Sequence, residues 1–269
     1  MAEPELSPTE QLVREGDPDL FLAALFTAEP LRGRLMTLIA FDIELAKASR
    51  RSADPIINSL RLQWWRDVVD EAAMGDPPRA HDVAGPLARL VRDASLSAEQ
   101  FEPLMAGYER EASAPFDAHG FDAWADQRFG GFLALAARLV AEDHPEVISA
   151  MGRAMALDFA LRNARAMAGD GIYLLPLAGL DRASLARGET TDTMREMIAA
   201  RADQALKALQ AARRSPVPAA LKPILRLGWR VRSGLKRAKR PDLDLARDFL
   251  QPPGFAAARL LSLSLTGRW

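Results

Sequence analysis

Two groups of acidic residues have spacings worth testing against metal-assisted chemistry. Asp67 and Asp70, followed by Glu71, lie in LQWWRDVVDEA. A spacing of i, i+3 puts Asp67 and Asp70 on one helix face, where their oxygens could hold magnesium. The same spacing also suits a solvated face opposite Leu62, Trp65 and Val69, which is its commoner use. Asp42 and Glu44 in IAFDIELAKA stand i, i+2, so their side chains diverge, and a local Glu44–Lys47 pair is expected instead. The chain has no cysteine, which excludes disulfides, thiolate metal sites and a cysteine nucleophile. His81, His119 and His144 are too widely spaced to suggest a histidine metal cluster. Glycine-rich phosphate loops, the H-E-x-x-H zinc motif and the G-x-S-x-G serine elbow are all missing.

The elements that carry these residues read as nearly all helix, because Ala and Leu recur at helical spacing and few windows alternate with period two. Asp17-Pro18 opens a helix to about Ala28, the proline pre-set for the first turn. Further helices are expected over 31–51, 56–74, 86–94, 98–112, 121–141, 145–168, 193–213, 217–238 and 242–250. Loops are expected at 75–86 and 169–185. The organisation is a polar arm (1–16), one all-α domain (17–250) and a tail (251–269). Trp64 and Trp65 are consecutive and cannot face the same way on a helix, so one belongs to the core and the other to a surface or groove. Gly130-Gly131 lies inside a helical pattern, which fits close helix packing or a break beside a ligand.

The 269 residues carry 36 acids and 35 bases, a balance that excludes a highly basic nucleic-acid binder. The distribution is uneven. Residues 1–20 hold six acids and one base, whereas 211–240 hold ten bases and no acid. Within 217–238 the apolar residues follow helical spacing. Arg226, Trp229, Arg230, Lys236 and Arg237 are therefore candidates for contact with an anionic membrane surface or an acidic partner, against a plain solvated face. No signal peptide and no run long enough to span a bilayer is present, so the expectation is cytoplasmic, peripheral on the inner membrane if the basic segment meets lipid.

Five blocks in order resemble the squalene/phytoene synthase family. They are FLAALFTAEPLRGRLMTLIAFDIELA, INSLRLQWWRD, LMAGYEREA, FDAWADQRFGGFLALAARL and ALDFALRNARAMAGDGIYLLPLAGL, together covering about residues 19–185. The resemblance implies an all-α, single-domain isoprenoid-synthase bundle around a central apolar cavity. Active members join two prenyl diphosphates head to head. Two aspartate pairs on facing helices hold magnesium, which neutralises the charge that develops on the leaving diphosphate.

Carried onto this sequence from Ala40-Phe41, the first pair falls on Ala46 and Arg50. Bracketed by Leu161-Arg162 and Leu174-Leu175-Pro176, the second falls on Asn163 and Met167. None of the four is a carboxylate. The resemblance therefore implies a cavity without metal or other cofactor, walled by Arg50, Arg51, Arg162 and Arg165. Guanidinium groups can bind a phosphate-bearing isoprenoid or lipid directly, or they can bridge to Asp42, Glu44 or Asp158. The branch of the family that comprises respiratory complex I assembly factors also resembles the synthases, carries the LQWW-type block and lacks the aspartate motifs. It implies a respiratory-complex subunit as partner, and the acidic N-terminus suggests a bacterial member. The alternative is an active prenyltransferase using magnesium on displaced carboxylates among Asp42, Glu44, Asp158 and Asp170. Asp42 and Asp158 each lie about one helical turn before an expected aspartate.

Overall fold

Prolines and short polar side chains set where the helices begin. The computed structural model describes residues 6–52, 54–111, 114, 116–176, 181–249 and 255–269. Helix α1 (Pro8–Gly16) opens on a reciprocal cap in which Ser7 and Glu10 satisfy each other's backbone N–H. In α2 (Pro18–Leu25) the Asp17 carboxylate accepts from the Leu20 N–H at 2.9 Å. Helix α3 (Leu31–Arg50) follows Pro30. Asp54 caps α4 (Pro55–Met74), which ends at Gly75 with φ +84°, a left-handed stop that suits glycine. Then come α5 (Ala84–Asp93), α6 (Glu102–Glu111), α7 (Ala118–Ala125), α8 (Gly131–Arg138), α9 (Pro145–Gly169), α10 (Arg182–Arg187) and α11 (Asp192–Ala212). Last are α12 (Lys222–Leu225), α13 (Val231–Ala238) and α14 (Ala256–Leu265). No strand occurs among the described residues.

The long α9 occupies the centre. Its buried residues, from Val147 to Ala168, lie all round its circumference, as a helix enclosed by neighbours requires. It packs against α7, α8, α10, α11 and α13. Two close crossings depend on glycine. A Cβ on Gly152 of α9 would lie 2.7 Å from the Gly130 backbone nitrogen, and one on Gly107 of α6 would lie 2.5 Å from that of Arg128. Gly130-Gly131 thus serves close packing, inside a chain segment that also departs from α-helix. Asp126–Gly130 forms one π-helical turn between α7 and α8.

Several sequence expectations are corrected. Residues 8–16 of the polar arm form a helix whose Val13 is fully buried, and the tail contains α14. The 121–141 helix is divided by the π turn, which helical periodicity does not reveal. The 217–238 helix is divided into α12, a tight turn at Arg226–Gly228 and α13. Residues 242–249 make successive turns rather than a helix, fixed by Asp244 and Asp248 side chains accepting backbone N–H groups. Residue 250, residues 177–180 of the expected 169–185 loop and residues 251–254 of the tail lie outside the described residues.

Candidate functional site

The π turn aims Arg128 into the middle of the bundle. Asp126, at its start, accepts from Ser149 at 2.8 Å and from Arg153 at 2.9 and 2.6 Å, which pins the turn to α9. Arg128 is 4% exposed and stands 3.1 Å from the Asp42 carboxylate of α3 and 3.8 Å from that of Glu111 on α6. Its guanidinium lies 3.9 Å from the Tyr108 ring centroid. The Tyr108 hydroxyl donates to the Asp42 side chain and main-chain oxygen at 2.8 and 2.7 Å. Glu111 also accepts from Arg50. Burial alone would lower the Arg128 pKa, but Asp42, Tyr108 and Glu111 hold it above the ordinary arginine value. Burial, ahead of its charged neighbours, raises the Tyr108 pKa well above its usual value, so the phenol stays protonated and donates.

Beside this network lies a small cavity between α2, α3, α9 and the 226–231 turn. It is lined by Asp17, Asp19, Asp42 and Asp158 and by Arg128, Arg162 and Arg230. Each acid is engaged. Asp17 caps α2, Asp42 meets Arg128, Asp158 accepts from Arg162 at 2.9 Å, and Asp19 pairs with Arg230. Burial raises the pKa of Asp158 above the usual carboxylate value, opposed by Arg162 and Arg230; burial also raises that of Asp17. The free volume is about 70 Å³, far below the roughly 300–1,000 Å³ of ordinary ligand pockets. Among the described residues no group of three or more His, Asp or Glu side chains is placed to hold a metal ion.

The sequence-selected residues scatter around this centre. Ala46 packs partly buried against the core, and Met167 is buried. Asn163 donates to the Phe159 carbonyl at 2.9 Å. Asp170 is exposed at the end of α9. Glu44 accepts from Lys47 at 2.8 Å, outside the cavity, in a surface groove with Arg51, Trp64 and His81. Of the four expected wall arginines, only Arg162 lines the cavity; Arg50 lies beside it on Glu111, and Arg51 and Arg165 are exposed. Of the two readings, bridged arginines rather than bare cationic walls describe the lining: three of its four acids pair with its three arginines and Asp17 is held by a helix cap, because unpaired buried charge is too costly to retain. Asp67 and Glu71 meet Arg79, at 3.6 and 2.7 Å, and Asp70 is exposed. Trp65 is buried edge-on to Phe41, and Trp64 is half-buried in the groove.

The basic segment also differs from its amphipathic reading. Trp229 is buried and donates to the Asp19 carbonyl at 3.3 Å, Arg230 pairs with Asp19, and Arg226 is buried. Arg237 donates to the Asp248 carbonyl. Of the five candidates for surface contact, only Lys236 is exposed. Sequence spacing did not single out Tyr108, Glu111 or Arg128. The available signals were Tyr108 and Glu111 at i, i+3 and an arginine flanked by Trp124 and Phe129. No helix is long and apolar enough to cross a membrane among the described residues.

Comparison with known proteins places this geometry in a lineage. The squalene/phytoene synthase profile matches residues 13–238. The chain is 25% identical over 183 residues to the Drosophila melanogaster homolog of NADH dehydrogenase (ubiquinone) complex I assembly factor 6, covering 64% of this chain and 51% of that protein. It is 30% identical over 87 residues to assembly factor 6 of Bos taurus, covering 32% of this chain and 26% of that protein. The chain thus spans about half or less of the curated relatives it matches. In structure it is similar to squalene synthase HpnC from Alicyclobacillus acidocaldarius, with a TM-score of 0.69, 16% identity and 96% and 92% coverage of the two chains. A dehydrosqualene synthase in complex with ligand gives a TM-score of 0.80 at 14% identity, with 96% and 94% coverage. The bundle built around α9 is that of these synthases, and the chain belongs to the squalene/phytoene synthase family.

Proposed function

We propose that this chain is a non-catalytic member of its family that acts in the assembly of respiratory complex I. The observation that carries the first half is the filled centre. Where a synthase needs room for prenyl chains and free carboxylates for magnesium, this cavity offers about 70 Å³ and acids already committed to Arg128, Arg162, Arg230 and a helix cap. The four positions matched to the family's aspartate pairs, Ala46, Arg50, Asn163 and Met167, supply no carboxylate. That donor set does not fit a magnesium cluster, so no ionisation step is derived through one. The assembly role rests on the similarity to the two assembly factors.

Incubation with farnesyl or geranylgeranyl diphosphate and magnesium tests the first half. No pyrophosphate release above background is expected, and sustained release overturns it. It would favour the competing reading, an active prenyltransferase, to which Asp42 and Asp158 lend support by lining one cavity from two helices. Isothermal calorimetry with farnesyl diphosphate, set against inorganic pyrophosphate, separately tests silent isoprenoid binding; the small cavity and its paired charges predict no heat beyond that of pyrophosphate alone. Deleting the gene and measuring intact complex I on native gels tests the second half. A fall is expected, and a normal amount counts against the assembly role.

A further inference from the structure

The largest concentration of unmatched charge lies away from the cavity. Between α11, α12, α13 and the C-terminal residues is a pocket of about 630 Å³, well within the ordinary range for small ligands. Five cations line it: Arg213, Lys222, Arg232, Arg259 and Arg268. No acidic side chain does. None of the five takes part in an ion pair among the described residues, although most other arginines of the chain do, as at Arg66, Arg79, Arg153 and Arg240. Arg213 donates to the Trp269 main-chain oxygen. Even if that oxygen counts as a full negative charge, cations exceed anions in the lining by four.

The walls are built rather than loose. The Arg213 guanidinium lies 5.1 Å from the Trp269 ring centroid, and Trp269 and Trp229 are buried beneath it. Their rings supply a firm apolar floor under a charged rim. The cations come from separate parts of the chain and repel one another. Burial first, and the charges of Arg232 and Arg259 second, hold Arg213 below the ordinary arginine pKa; burial and Arg232 do the same for Arg259. Like charges gathered without a counter-ion destabilise the fold, and an anion bound among them removes that cost. Four of the five are arginines around one opening, and guanidinium forks match the planar, bidentate geometry of phosphate oxygens. Adjoining Arg213 and Arg232 is a second basic depression that includes Lys236 and Lys239, so the positive field extends beyond the pocket.

We propose that this pocket is a binding site for a phosphate-bearing anion, with Arg213, Arg232 and Arg259 as its principal ligands and Lys222 and Arg268 at its rim. The phosphate belongs either to a lipid headgroup or to a free phosphorylated molecule, and the experiment separates the two. Wild type and the double variant Arg232→Gln/Arg259→Gln are titrated calorimetrically with inorganic pyrophosphate at fixed ionic strength. Both are also floated with vesicles of phosphatidylglycerol in phosphatidylcholine. The variant removes like charges at positions without ion pairs, so it should melt no lower than wild type, which checks its folding. Pyrophosphate should bind the wild type and bind the variant about tenfold or more weakly, since each tenfold is one modest interaction. Flotation that is lost in the variant assigns the phosphate to a lipid. Pyrophosphate binding without flotation assigns it to a free ligand. Equal binding of the probes by both proteins, or binding of neither probe to the wild type, overturns the proposal.

Discussion

The central cavity and the C-terminal pocket treat charge in opposite ways. In the centre, Arg128, Arg162 and Arg230 each meet an acid, and the free space would hold little more than a few waters. Near the C-terminus five cations surround a pocket several times larger with no acidic side chain. Desolvation explains the first arrangement: a buried charge survives only with a partner. Solvent contact permits the second, because exposed cations tolerate one another at modest cost. The cavity at the centre of the bundle is therefore the better neutralised, and the surplus charge lies on the periphery.

The sharpest way to break this contrast is to remove one cation from each region. Arg128→Ala takes the guanidinium away from Asp42, which keeps only the Tyr108 hydroxyl, and leaves the buried Glu111 to Arg50. It should cost about 3–5 kcal/mol and lower the melting temperature by roughly 10 °C or prevent folding. Arg232→Ala should leave stability unchanged or raise it slightly, as it relieves repulsion. Thermal unfolding by circular dichroism compares them directly, and equal melting temperatures would show that the central network is not the stabilising one. A smaller effect is expected from Gly234→Ala. The added methyl on α13 would overlap the Asp158 carboxylate of α9, forcing that side chain off Arg162. Overpacking of this kind costs about 1–3 kcal/mol, measurable as a lower urea midpoint with an unchanged slope.

Much of the fold is legible in the sequence because its signals are local. Asp17-Pro18 and Asp54-Pro55 start helices as capping chemistry requires, and the apolar spacing of 145–168 marks the central helix. The departures are also physical. The π turn at 126–130 adds a residue to one helical turn without a proline or a cap, so helical periodicity passes over it. The site is legible in outline only, since its pairings join distant segments. Asp42 meets Arg128 across 86 residues, and Arg50 meets Glu111 across 61. Arg162 next to Asp158, one turn away, is the pair that spacing could reach. The C-terminal pocket brings Arg213 and Arg232 together with Arg259, which lie far apart in the chain; the long basic run suggests charge there but not which cations remain unmatched.

The finest test of the contrast is a pH profile, because the two regions titrate with opposite sign. Burial raises the Asp158 pKa above its ordinary 3.8. The native state therefore holds that proton more tightly than the unfolded chain does, and the contribution to stability is fully present below the unfolded pKa. It is lost as pH rises through the folded value. Asp203, at the edge of the basic region between Lys207 and Lys239, behaves conversely. Hydrogen bonds from these lysines lower its pKa from 3.8 to about 2, so its contribution is present above the unfolded value and is lost as pH falls towards 2. Urea unfolding of wild type, Asp158→Asn and Asp203→Asn across the acid range isolates each group as a difference curve. The wild-type minus Asp158→Asn difference should fall with rising pH, and the corresponding Asp203 difference should rise. Added salt should shrink the Asp203 difference while leaving that of Asp158, since ions screen exposed pairs and not buried ones. Two curves of the same sign, or an Asp158 difference that salt abolishes, would place the central carboxylate in water and remove the distinction between a neutralised core and a charged periphery.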